Sequence, residues 1–131
     1  MTVMDTHALV WWAEESPKLS KKARQAAKAA AKRRELIISA FSFYEIARLE
    51  RRGRITPKIP VSEWFKYVRS LPGLTIQPVT DEIAERAGGL GDALPGDPAD
   101  RLITATALVL DAPLITADTK LHAVPSLTTI W

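Results

Sequence analysis

Asp97-Pro98-Ala99-Asp100-Arg101-Leu102-Ile103-Thr104-Ala105-Thr106-Ala107-Leu108-Val109-Leu110, followed by Pro113-Leu114-Ile115-Thr116, is the stretch whose reading decides the fold. Asp97 has the chemistry of a helix N-cap, and proline suits the first helical position, where its missing N–H costs nothing. The apolar run through Leu110 then reads as a buried helix, and the short β-branched segment behind it as a buried strand. Outward from this unit the alternation repeats. Val3-Met4 reads as a strand ending at Asp5, and Ala8 to Trp12 as a turn or two of buried helix. Ser16-Pro17 predicts a helix start, with strong helix formers from Lys18 to Arg34. Leu36-Ile37-Ile38 is a second strand, and Ser42 with Glu45 three residues on has the capping-box pattern for a helix reaching Arg52 and stopping at Gly53. Ser62 to Leu71 reads as a helix, Pro72-Gly73 as a turn and Leu74 to Val79 as a strand. Thr80 caps a helix to Leu90, and Gly88, Gly89, Gly91, Pro95 and Gly96 mark a loop. A short turn of helix after Asp118 and a fifth strand over Thr128-Thr129-Ile130 complete the pattern. Strands alternating with helices imply a mostly parallel sheet covered on both faces.

The chain has 131 residues, the size of one domain, here 1–131. Its 47% apolar and 25% charged residues are those of a folded globular protein. The absence of cysteine excludes disulfides, thiolate metal sites and cysteine nucleophiles, and fits a reducing cytoplasm. No basic leader precedes an apolar run at the N-terminus, and no apolar stretch approaches the roughly 20 residues of a membrane span. The net charge of +3 conceals an asymmetry: residues 18–54 hold 12 of the 18 Lys and Arg and only three acids, Glu35, Glu45 and Glu50. A basic half beside an acidic half suits a protein that meets both a polyanion and cations, although a solvated helix face gives the same composition.

In open parallel sheets functional groups collect beyond the carboxyl ends of the strands. Asp5 ends the first strand, Asp118 lies just past the fourth, Asp100 is in the first turn of the helix feeding that strand, and Glu45 is in the helix leaving the second. Four acids from four segments thus point to one sheet edge. Taken singly, Asp100, Glu45 and Asp118 each have a plain capping role available. Together they repel one another, and a divalent cation removes the conflict. Carboxylate oxygens without Cys or His partners suit Mg2+ or Mn2+, and such ions meet phosphate oxygens, so phosphoryl chemistry follows.

Four segments carry a family resemblance. Met4-Asp5-Thr6-His7-Ala8-Leu9-Val10-Trp11-Trp12 resembles the opening of PIN-domain proteins, notably the VapC-like toxins of type II toxin–antitoxin pairs. Ser42-Phe43-Tyr44-Glu45-Ile46, Asp97 to Ala107, and Leu114-Ile115-Thr116-Ala117-Asp118 resemble the motifs that follow, in order and spacing. The resemblance implies a three-layer α/β/α fold on a five-stranded, mostly parallel sheet. It also implies Mg2+- or Mn2+-dependent cleavage of RNA, a homodimer, and a small VapB-like antitoxin that blocks the site. On it, Asp5, Glu45, Asp100 and Asp118 take the catalytic positions, with Asp5, Asp100 and Asp118 as metal ligands. Thr6, Thr116 and Asp97 stand as supporting or substrate-side residues, Asp97 foremost as a helix cap. A histidine that some relatives carry before Asp97 is absent, and His7 and His122 are expected to be structural.

Among the basic residues, Lys21, Lys22, Arg24 and Lys28, with Arg48, Arg51, Arg52 and Arg54, are candidates for RNA phosphates. The aromatics Trp11, Trp12, Trp64, Phe65 and Tyr67 read as core or interface, with Trp131 either packed on a neighbouring element or exposed. Two other readings compete. One is the same fold as a silent RNA- or antitoxin-binding module; the other is a different α/β phosphoryl-transfer protein. A phosphatase of that kind expects a second Asp where His7 stands, and a glycine-rich phosphate loop is missing.

Overall fold

The computed structural model describes residues 1–131 except 93 and 95. Five strands form one sheet: β1 (Thr2–Met4), β2 (Leu36–Ser39), β3 (Leu74–Gln77), β4 (Leu114–Ile115) and β5 (Thr129–Ile130). Their order is β3-β2-β1-β4-β5, and every pairing is parallel. The chain therefore builds outward from central β1 through β2 to β3, then returns to the other side of β1 for β4 and β5. The strand order reverses between β1 and β4, and a crevice opens beyond the carboxyl ends of strands at such a switch point. The expectation of a mostly parallel α/β sheet is met, and the strands read as apolar runs because both faces are covered.

Six helices do the covering: α1 (Thr6–Ala13), α2 (Lys21–Lys32), α3 (Phe41–Arg51), α4 (Val61–Ser70), α5 (Asp81–Gly88) and α6 (Pro98–Val109). On one face Met4, Leu36, Ile38 and Ile115 pack against Leu9, Ile46, Trp64 and Val68. Ala23, Ala27 and Ala30 of α2 are fully buried there, a small-residue stripe that lets the helix lie close to the sheet. On the other face Val3, Ile37 and Leu114 meet Ile103 and Ala107 of α6. Trp11 and Trp12 are both half-buried against the first core, and Trp131 packs on Trp11 with ring centroids 5.7 Å apart.

Several helix starts differ from the expectation. The segment after Ser16-Pro17 is a turn, and α2 begins at Lys21 with Ser20 as its cap, the Ser20 hydroxyl accepting from Ala23 N–H. Ser42 is not a cap. Helix α3 begins two residues earlier than that cap would set it, at Phe41, and Ser42 lies fully buried inside it, so Glu45 sits in the second turn rather than closing a capping box. The hydroxyl at this helix start belongs to Ser39, which accepts from Phe41 N–H. Thr80 and Asp97 cap α5 and α6 as expected, and Pro98 opens α6. In the glycine-marked loop before α6, Gly88 ends α5, while Pro95 lies outside the described residues. Among the described residues no helix is long and apolar enough to cross a membrane.

Candidate active site

The end of β1 places Asp5 where the chain turns into α1. Asp5 N–H completes the ladder to Ile115 carbonyl O of β4, and its Oδ1 accepts from Ala8 N–H at 2.8 Å. Asp5 is therefore the N-cap of α1, which starts at Thr6, ahead of the apolar run that marks it in the sequence. One strand away, Asp118 follows β4. Its N–H donates to the Thr116 hydroxyl, and its Oδ1 accepts from Lys120 N–H at the start of a short 3-10 turn. Each of these acids thus has one oxygen fixed by backbone and another left over. Asp100 comes from the first turn of α6, and Glu45 from α3, whose Ser42 hydroxyl is 3.0 Å from that of Thr6 on α1. That buried pairing locks α1 to α3 and sets Glu45 relative to Asp5.

The result is a cavity of about 320 Å³ lined by Asp5, Glu45, Asp97, Asp100 and Asp118 together with Thr6 and His7. All four acids singled out from the sequence reach it. Asp97 also borders it while capping α6 through Ala99 N–H, and Thr116 lies fully buried beneath, its hydroxyl accepting from Asp118 N–H and lowering the proton affinity of the nearby Asp5. Among the described residues Asp100's carboxylate takes part in no hydrogen bond, so its capping-box role is not realised. His7, expected to be structural, lies at the cavity. It is exposed on the first turn of α1, borders the cavity, and lies 5.9 Å from the Trp11 ring. Its place two residues after the strand-end Asp5 is the signal that could have found it. His122 Nε2 bonds the Thr116 carbonyl, a structural role.

Crowding shows in the charges. Burial raises the Asp5 carboxyl, with Asp118 adding repulsion against the Thr116 hydroxyl, the Ala8 N–H and nearby His7. Burial likewise raises Glu45, with Asp97 and Asp5 pushing the same way and the Thr6 hydroxyl and His7 opposing. Asp100 is pushed up to about 6 by burial and then by Asp97, Asp118 and Glu45, with Lys120 opposing. A cluster that resists its own ionisation has the chemistry of a cation site. Among the described residues no three Asp, Glu or His side chains converge on one point as a finished ligand set. The donor set fits an oxygen-seeking ion that keeps part of its water shell, as Mg2+ does.

The basic candidates divide. Lys21, Lys22 and Lys28 are exposed on α2, and Arg24 is half-buried, spending its guanidinium on the Ser16 carbonyl at 2.7 Å. Arg48, Arg52 and Arg54 border a second opening that shares Glu45 and Asp97 with the acidic cavity, while exposed Arg51 does not line it.

The PIN-domain profile matches residues 2–127. This chain belongs to the PIN-domain family. As a PIN domain it is 37% identical over 135 residues to Ribonuclease VapC22 of Mycobacterium tuberculosis, covering 98% of this chain and 97% of that protein. Among solved structures it resembles VapBC2 from Rickettsia felis, bound to a DNA fragment from its promoter (TM-score 0.69, 20% identity, 98% of this chain and 96% of that one). It also resembles a toxin–antitoxin complex from Klebsiella pneumoniae (TM-score 0.67, 22% identity, 98% and 97%) and FitAcB from Neisseria gonorrhoeae (TM-score 0.67, 17% identity, 98% and 96%). At these identities the structures speak for the fold alone.

Proposed function

We propose that this PIN domain, residues 1–131, is a Mg2+- or Mn2+-dependent endoribonuclease toxin of the cytoplasm, acting as a homodimer and neutralised by a VapB-like antitoxin. The observation that carries the reading is the shared cavity of four carboxylates at the switch point of the sheet, in a chain 37% identical to a protein named a ribonuclease. The partner reading draws on the toxin–antitoxin complexes among its structural likenesses.

Asp5, Asp100 and Asp118 would hold the cation, which would supply positive charge against the charge that builds on the reacting phosphate. Thr116 steadies Asp5 and Asp118 from below, and the α1 and 3-10 turns fix one oxygen of each. Glu45 orients the attacking water and takes its proton, a role suited to a carboxylate whose proton affinity is raised by its surroundings. A bond forms from water oxygen to phosphorus, the bond to the 3′ oxygen breaks, and that oxygen gains a proton. The products are a 5′-phosphate and a 3′-hydroxyl.

The test is incubation of purified protein with single-stranded RNA, followed by mapping of the new ends. Cleavage in Mg2+ or Mn2+ that stops in EDTA and leaves 5′-phosphates is expected. Asp5→Asn or Asp118→Asn should lower the rate by at least about a hundredfold without unfolding the protein. Full activity in EDTA removes the metal from the proposal, and 2′,3′-cyclic phosphate ends remove water as the nucleophile.

A further inference from the structure

The second opening, about 370 Å³, lies between α3 and the start of α6 and adjoins the acidic cavity, Glu45 and Asp97 lining both. Its walls are chemically unlike that cavity. Arg48, Arg52 and Arg54 line it, and among the described residues none of the three lies within ion-pair distance of a carboxylate. Tyr44 stands in the same wall with 53% of its surface exposed, large for an aromatic ring on an ordered helix. It is held in place: Arg48 donates to its hydroxyl at 3.0 Å and also lies over its ring, 5.8 Å from the centroid, while Phe41 supports it at 5.0 Å.

We propose that this groove is a subsite for single-stranded RNA beside the reacting phosphate, with Tyr44 stacking a base and Arg48, Arg52 and Arg54 meeting backbone phosphates. It rests on the ribonuclease reading and adds where the strand lies. Guanidinium groups around a fixed, exposed ring form the combination that binds single strands without reading their sequence. A duplex offers the ring no free base face. An acidic peptide would use the arginines but has no need of the ring. Adjacency to the acidic cavity supplies the remaining argument, because a polymer cut beside Glu45 extends past the neighbouring surface, and this opening, which shares Glu45 and Asp97 with the cavity, carries the complementary charge. Among the described residues the lysines of α2 line neither opening, and the cations that lie over aromatic rings are Arg48 and Arg69.

The full chain is titrated in EDTA into a fluorescent single-stranded oligouridylate, across a series of salt concentrations, and cleavage by wild type in Mg2+ or Mn2+ is scored separately. Arg48→Ala with Arg52→Ala should weaken binding at least about tenfold and flatten the log–log salt slope by roughly 0.7 for each RNA phosphate the double variant no longer engages. Tyr44→Ala should weaken it about fivefold or more with the slope unchanged, and Tyr44→Phe, which keeps the ring, should bind within about twofold of wild type. Circular dichroism melts check that each variant folds. If wild type cleaves RNA while the arginine and Tyr44 variants bind as wild type does, the subsite is wrong and the nuclease stands. If wild type cleaves nothing, the nuclease reading falls first. A salt slope that follows Lys21→Ala with Lys28→Ala instead moves the strand to α2 and overturns the proposal. Arginine-dependent binding of oligoglutamate without binding of RNA overturns it in favour of a peptide groove.

Discussion

Asp100 shows how a single residue can be placed against its own stability. Its proton is held up to about pH 6 in the fold, while an unfolded chain releases it near 3.8, so between those values the native state binds more protons than the unfolded one. Stability from this group is therefore greatest below about pH 4, falls as pH rises through the window, and stays low above it. Asp100→Asn removes the conflict without changing the shape. In EDTA at pH 7 the variant should be more stable than wild type by about 1 kcal/mol, a figure kept small because solvent reaches much of the side chain. The advantage should vanish by about pH 4. Denaturant melts at the two pH values check this, and a less stable variant at pH 7 would show that Asp100 has a partner that repays its burial. The same residue marks what was legible in advance. That Asp5, Asp100 and Asp118 lie at one sheet edge was legible because strand ends and helix starts can be located in a sequence and acids are scarce nearby. The position of His7 at the cavity was not legible because it depends on the register of α1, which begins at the Asp5 cap rather than at the apolar run.

At the level of the elements, the strands and most helices were readable because each is an apolar run or a capped string of helix formers. The errors cluster at hydroxyls. Ser16, Ser20, Ser39 and Ser42 are chemically equivalent as caps, and only the packing decides among them: Ser42 is drawn inside α3 to meet Thr6, leaving Ser39 at the helix start. Two turns test how elements are joined. Gly53, after α3, and Gly73, between α4 and β3, both have left-handed backbones, at φ 71° and 76°. A Cβ on Gly53 would meet nothing, whereas one on Gly73 would sit 1.9 Å from the Ala31 carbonyl oxygen of α2. That oxygen is backbone and cannot rotate aside. Gly53→Ala should cost about 1 kcal/mol, the backbone penalty alone, and Gly73→Ala about 3 kcal/mol or more. Equal losses in urea melts would mean that α2 moves freely over this turn.

The order β3-β2-β1-β4-β5 was the least legible property of the molecule. Hydrophobic runs say that strands are buried and parallel, but which strand neighbours which is decided by the crossovers, and the pairing of β1 with β4 brings Asp5 and Asp118 to adjacent strand ends. The same order makes the acidic cavity a property of the whole chain: its four carboxylates come from the end of β1, from α3, from α6 and from beyond β4, joined through the sheet rather than along the sequence. A cation that engages them in the native state has no equivalent site in the unfolded chain, so it stabilises by mass action. At about a hundredfold above its dissociation constant the gain is about 2.7 kcal/mol, which for a domain of this size corresponds to a rise in Tm of roughly 10 °C. The rise should appear with Mg2+ or Mn2+ against EDTA at pH 7. It should shrink toward pH 5, where Asp100 keeps its proton and competes with the ion. A variant with Asp5, Glu45, Asp100 and Asp118 all changed to their amides should melt at a cation-independent temperature. A variant that still gains the full rise would place the ion outside this cavity and would take the strand-end acids out of the chemistry.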